Sequence, residues 1–251
     1  MLYYLYIAPV VRKETLMDTV SMKQFAKQRL AQNRWPMVLV ALIMTVIAGI
    51  ADAGSIPKVE IDYNALADGS MDAVKTVART AGPILGTLSL ALRYLILNPL
   101  QVGTRHFFRR NIYENAVIED LSRPLANYVN IILTMLVYTV ITAIGTAFCI
   151  VPGIILGLGF WLVPYILAEN PNLPITEVLS LSWNKMNGHK SELFMLFLSF
   201  IGWYLLSIIT FGIAGILFVT PYTQQTYAQY ADKLLNPVQQ VNPQAAWGPE
   251  M

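Results

Sequence analysis

Few residues in this sequence have the chemistry to act on a substrate, and most of them stand alone. Arg93 lies within the uncharged-but-for-itself stretch 81–97, where an ionisable side chain is costly unless it snorkels, pairs or serves a ligand. With the span taken as roughly 81–100, it lies about 7 residues, or about 10 Å of helix, from the cytoplasmic end, so its guanidinium can reach the headgroups. Two readings stay open: snorkelling or a structural pair, and a functional site for an anionic headgroup or substrate. Glu169 closes another apolar run and is the carboxylate expected to partner it, which makes Arg93 and Glu169 a polar pair of functional or structural kind. An enzyme acting on lipid at the membrane interface would use Arg93, Glu169, His189 or Lys190, since acid–base catalysis needs titratable groups within reach of one proton.

Other constellations are missing. His106 and His189 are far apart and neither has a second His, Asp or Cys at ligand spacing, so no metal site is expected. The single cysteine, Cys149, excludes an intrachain disulfide and is expected to be a small buried hydrophobe. Ser199, Ser207, Thr210 and Thr220 fall in apolar stretches where hydroxyls bond to helix carbonyls, with no His or carboxylate at their depth to activate them. There is no phosphate-binding P-loop, dinucleotide fingerprint or zinc-protease pair, and accordingly no cofactor and no catalytic residue is assigned. Arg105, His106, Arg109 and Arg110 interleave with Phe107, Phe108 and Tyr113. Beside an apolar stretch that mixture marks the headgroup zone, and a formal net charge of only +2 argues against a nucleic-acid partner.

The elements that must position these residues are apolar helices. Of 251 residues 55% are hydrophobic and only 13% charged, with mean hydropathy +0.51, whereas soluble domains carry roughly 25% charged residues. Residues 17–36 place Met22, Phe25, Ala26 and Leu30 on one face and predict an interfacial amphipathic helix. Six spans follow within 37–235. The first is 37–51 and the second 81–97, ended by Asn98 and Pro99; 129–151 and the run from Gly153 to Glu169 form a hairpin turning at Pro152 and Gly153; 193–209 and 213–235 form another, turning within 210–215. Ile175, Val178, Leu179, Ser182 and Met186 predict a second interfacial helix, begun by Pro174 and ended by Gly188. Gly153 and Gly157 offer a face for close helix approach. Residues 1–16 read as an upstream extension or mis-called start, and 236–251 as a disordered tail.

Charge sets the orientation. Thirteen of the 17 Lys and Arg residues fall on the side of the N-terminus, and only Lys58, Lys75 and Arg79 on the other, with Arg93 inside a span. By the positive-inside rule both termini are cytoplasmic and the acidic loop 52–80 is outside. The expected fold is therefore all-α: a polytopic transmembrane helical bundle of about six spans with interfacial amphipathic helices.

Three blocks carry a family resemblance: NPLQVGTRHFF at 98–108, IVPGIILGLGFWLVPYILAENP at 150–171, and the segment from LSWNKMNGHK to FVTPY at 181–222. From about Ser21 to about Leu235 the chain resembles the bacterial integral membrane family catalogued as domain of unknown function 975. The matching positions are Pro152 with Gly153 and Ile154, Glu169 with Asn170 and Pro171, Met186 with Gly188 and Lys190, the block 199–203 containing Gly202 and Trp203, and Pro221 with Tyr222. Glu169 stands where the family usually has Asp, and His189 where an aromatic is common. The resemblance implies a multi-pass protein of the bacterial plasma membrane and supplies no catalytic residue. The expected activity is non-enzymatic: binding or moving a hydrophobic or amphipathic molecule, or assembling with a transporter. The alternative is the interfacial lipid-modifying enzyme above. The partners expected are the lipid bilayer and other membrane proteins.

Overall fold

The computed structural model describes residues 19–53 and 93–236. The expectations for 1–16, for most of the 52–80 loop, for the start of the second span and for the tail beyond Asn236 lie outside these residues. The described residues are helical and contain no strand.

Prolines place most of the breaks, because each leaves one carbonyl four residues upstream without a donor. Helices α1 (Thr19–Gln32) and α2 (Arg34–Ala53) meet at Asn33 with a bend of 99°, and Pro36 is the residue that cannot bond to Gln32. A π-turn, Arg93–Leu97, runs directly into α3 (Asn98–Tyr113). Asn98 and Pro99 thus do not end the second stretch as expected. Pro99 sits in the first turn of α3, and the Leu95 carbonyl that it leaves free accepts a hydrogen bond from the Tyr128 hydroxyl. Two 3₁₀ turns, Ile118–Leu121 and Arg123–Asn127, lead to α4 (Tyr128–Phe148), capped by the Asn127 side chain on the Asn130 amide.

The first hairpin turns at Cys149, whose backbone is extended, and not at Pro152 and Gly153. Those two residues lie in the first turn of α5 (Ile150–Gly159), where a helix has no acceptor for a proline's missing N–H. Cys149 is exposed at this tip instead of buried. Gly153 has a packing role: a Cβ there would stand 2.7 Å from the Thr146 Cα, so α4 and α5 touch backbone to backbone. The chain is interrupted at 160–162 before α6 (Val163–Glu169), because Pro164 cannot bond the Phe160 carbonyl and the Val163 amide takes it at 3.1 Å. After α7 (Ile175–Lys185) a turn passes through Gly188 at φ +84° into α8 (Lys190–Leu198) and α9 (Ile201–Ile209). The second turn, at Phe211 and Gly212, has both residues at positive φ. A π-turn, Gly215–Val219, then opens into α10 (Thr220–Leu235), with Pro221 in its first turn.

Among the described residues three runs are long and apolar enough to cross a membrane, Ile118–Phe148, Ile150–Glu169 and Lys190–Ile209; the bent pair of α1 and α2 makes a fourth if taken as one span. The helix expected to span 213–235 does not meet that standard, because its second half, α10, carries Gln224, Gln225, Gln229, Asp232 and Lys233. α10 is also largely enclosed: Tyr222, Ala228, Tyr230 and Ala231 are buried, and the helix packs against α3 and α2. The apolar side of α1, with Met22, Ala26 and Leu30, is likewise buried in protein.

Candidate functional site

The basic segment read as a headgroup loop is α3, and much of it is interior. Phe107, Phe108 and Ile112 fill the core while Arg109 and Asn111, also buried, join neighbouring helices. His106 belongs to this helix too and not to a loop.

Arg109 is the central cation. Its Nη1 lies 2.7 Å from Glu169 Oε1 on α6, and its Nε donates to Asp232 Oδ1 on α10 at 3.0 Å. The Tyr113 hydroxyl donates to the other Asp232 oxygen, and burial together with that carboxylate raises its pKa. The Nη1 contact with Glu169 is close without being aligned as a hydrogen bond, and Nη2 is buried with no partner among the described residues. Glu169, the carboxylate expected to pair with Arg93, is thus held by Arg109; the Arg93 side chain lies outside the described residues.

One turn earlier, Arg105 lies over the Tyr165 ring at 5.1 Å and donates to Gln224 on α10, while its buried Nε is unpartnered among the described residues. Two residues after Arg109, Asn111 donates to Gln225 at 2.9 Å and accepts from Asn33 at 2.7 Å. Asn33 is the residue at the α1–α2 bend, so that corner is tied to α3. Arg29 adds hydrogen bonds to the Asn111 and Glu114 carbonyls. Asp120, fully buried in the 3₁₀ turn, receives Arg110 and Arg123 at 3.0 Å each. Desolvation lowers the His106 pKa, and its Nε2 is buried without a partner among the described residues.

The other residues singled out by sequence fall elsewhere. His189 faces Glu192 at 3.1 Å, and the Tyr230 hydroxyl donates to the His189 carbonyl. Lys190 stands 3.5 Å above the Trp183 ring. Glu169, His189 and Lys190 therefore have different partners instead of one shared cleft. Asn170 and Pro171 form the turn after α6, where the Pro171 carbonyl accepts from the Asn130 side chain. Trp203, Pro221 and Tyr222 belong to an aromatic wall between α9 and α10, with ring centroids of Trp203 and Tyr222 5.7 Å apart, and Gly202 faces open space.

Two spaces lie beside α3, and Arg105 lines the smaller of them. A small cavity of about 60 Å³ between α2, α3 and α10 is lined by Arg105, Gln101, Thr104, Gln224 and Met44. A groove of about 840 Å³ between α2, α3 and α4 shares Met44 and Gln101 with it and is otherwise walled by Met135, Ala143 and a row of threonines. The arrangement offers a cation in a small cavity separated by Met44 and Gln101 from a larger, mostly apolar groove.

Sequence comparison assigns the second half. Residues 122–236 match the family model described as Protein of unknown function (DUF975). This stretch is a DUF975 domain. The match begins at Ser122, so α1, α2 and α3 precede the matched DUF975 residues, although the resemblance was expected to start near Ser21. No curated protein and no solved structure matches the chain. In DUF975 terms the buried joint is shared: Glu169, Gln224 and Asp232 come from matched residues, Arg105 and Arg109 from the preceding helix. Reasoning from the sequence missed both arginines as interior groups. The available signal was their i, i+4 spacing with Gln101 along one side of the helix, a side that also carries the apolar Phe108 and Ile112.

Proposed function

We propose that this chain is a multi-pass module of the bacterial plasma membrane, with about six spans and both termini cytoplasmic. It binds or moves a hydrophobic or amphipathic molecule without altering it chemically, or presents one to a transporter with which it assembles. The sixth span, on this reading, turns its polar half toward protein instead of lipid. The observation that carries the proposal is the Arg105 cavity beside the groove, the two sharing Met44 and Gln101 as a common wall: on this reading an apolar tail lies along Met135 and Ala143 and an anionic head passes that wall to meet the guanidinium. Such a charge-assisted contact is worth about 1.5–3 kcal/mol, enough to select anionic over zwitterionic amphiphiles by about tenfold or more.

The test is purification of the full chain in mild detergent with quantitative lipid mass spectrometry, for the natural protein and for Arg105→Gln. The expected result is enrichment of anionic amphiphiles that falls about tenfold in the variant, at unchanged helix content. An identical lipid profile in the two proteins overturns the proposal.

A further inference from the structure

Both apolar hairpins end in bare hydrocarbon side chains. At the first tip Phe148 is 88% exposed, with Ile150 and Val151 exposed beside it; at the second Phe211 is 97% exposed, between Ile209 and Ile213. No Asp, Glu, Lys, Arg or His occurs from 128 to 168, or from 193 to 231. The first arm of the first hairpin runs 26 residues back from Cys149 to Arg123, which lies in the 3₁₀ turn before α4; along the other three arms charge returns at Glu169, 20 residues from Cys149, and at Glu192 and Asp232, 19 and 21 residues from Phe211. At 1.5 Å per residue those three lengths are about 28–32 Å, and an ordinary tilt of about 20° shortens their projection. The hydrocarbon core is about 30 Å thick. A hairpin whose charged base meets the near headgroups has no length left to put its turn in water.

The composition of both turns, and the bonding of the second, agree with that depth. Turns that reach water favour Asn, Asp and Ser, and Trp or Tyr usually marks the headgroup level. Here the nearest Trp or Tyr along the chain is Tyr138, 11 residues from Cys149, and Tyr204, 7 residues from Phe211. The second turn also satisfies its own backbone: the amides of Phe211, Gly212 and Ile213 bond to the carbonyls of Ile208, Ser207 and Thr210, and the Ala214 amide bonds to the Thr210 hydroxyl at 3.1 Å. Internal satisfaction is what hydrocarbon demands of a turn. In the first, the Cys149 amide bonds to Gly145, and Pro152 has no N–H to leave bare.

We infer that both hairpins stop within the far leaflet, with the turns at Cys149 and at Phe211 and Gly212 packed against lipid acyl chains. The inference rests on the membrane reading above and leaves its parity intact, since each hairpin returns to the side it came from.

Cys149, the sole cysteine, tests it without mutation. In sealed vesicles of both orientations, a membrane-impermeant maleimide is expected to leave Cys149 unlabelled and to label it fully after detergent is added. Asn170→Cys in a Cys149→Ser chain, at the hairpin base, is expected to label from one side. A bimane on Cys149 is expected to be quenched by lipids brominated deep in the acyl chain, and one on Phe211→Cys in the Cys149→Ser chain likewise. Labelling of Cys149 in intact vesicles overturns the inference, and so does a bimane that deep bromines do not quench, which would place protein over the tip. Extraction of the whole chain by alkaline carbonate is the separate result that removes the membrane reading itself.

Discussion

Arg109 faces two carboxylates in unequal surroundings. Its own side chain is 4% exposed and that of Asp232 13%, whereas Glu169 is 39% exposed. Removing one partner of a buried pair strands a charge and costs about 3–5 kcal/mol, while a solvent-screened pair is worth about 0–1 kcal/mol. Arg109→Ala and Asp232→Ala are therefore expected to destabilise strongly, and Glu169→Ala only slightly, in thermal unfolding followed in detergent. In a double-mutant cycle Arg109 and Asp232 are expected to couple; additive losses would assign the joint to packing alone. His106 supplies the pH dependence at this scale. Burial holds its pKa below the ordinary 6.5, so the native state resists the proton that the unfolded chain accepts. Above pH 6.5 both states are neutral; below it the unfolded chain binds the proton first and stability falls until the native pKa is passed. The unfolding midpoint is expected to drop between about pH 7.5 and pH 5.5, and His106→Gln to remove part of that drop. An equal drop in the variant would assign it to other groups.

At the level of elements, close packing of α4 on α5 depends on one missing side chain. Gly153→Leu must displace the Thr146 backbone and is expected to cost about 1–3 kcal/mol. Gly202→Leu, into open space on α9, serves as the comparison and is expected to change stability little. Equal effects of the two would remove the close approach as the cause. The sequence made the hairpins legible because hydropathy and chain length together force a reversal between 129 and 168. It was less informative about where they turn. Pro152 and Gly153 signal a turn in general, yet a proline is also at ease in a helix's first turn, and the reversal falls at Cys149. The same ambiguity attends Asn98 and Pro99, which open α3 where a stop was expected.

Taken whole, the molecule has two unlike ends: a polar one where α1, α3, α6 and α10 are cross-linked by buried side chains, and an apolar one made of two bare tips. Overall hydropathy revealed the second end and concealed the first. Counting Lys and Arg for orientation treats each as a surface charge, but Arg29 and Arg109 are buried and hydrogen-bonded. The cross-links join residues far apart in the chain, 78 positions for Asn33 and Asn111 and 123 for Arg109 and Asp232, and no local pattern in the sequence indicates which distant side chain closes such a pair. Between the ends stand two joints of one design, a π-turn followed at once by a helix with proline in its first turn, at Arg93–Leu97 with Pro99 and at Gly215–Val219 with Pro221. A π-turn holds one more residue per cycle than an α-turn. If either joint tightened to α geometry, everything beyond it would swivel by about 100°, one residue's worth of helical rotation. Each thus sets the rotational phase of the helix it opens, and with it the direction in which Arg105 or Gln224 points.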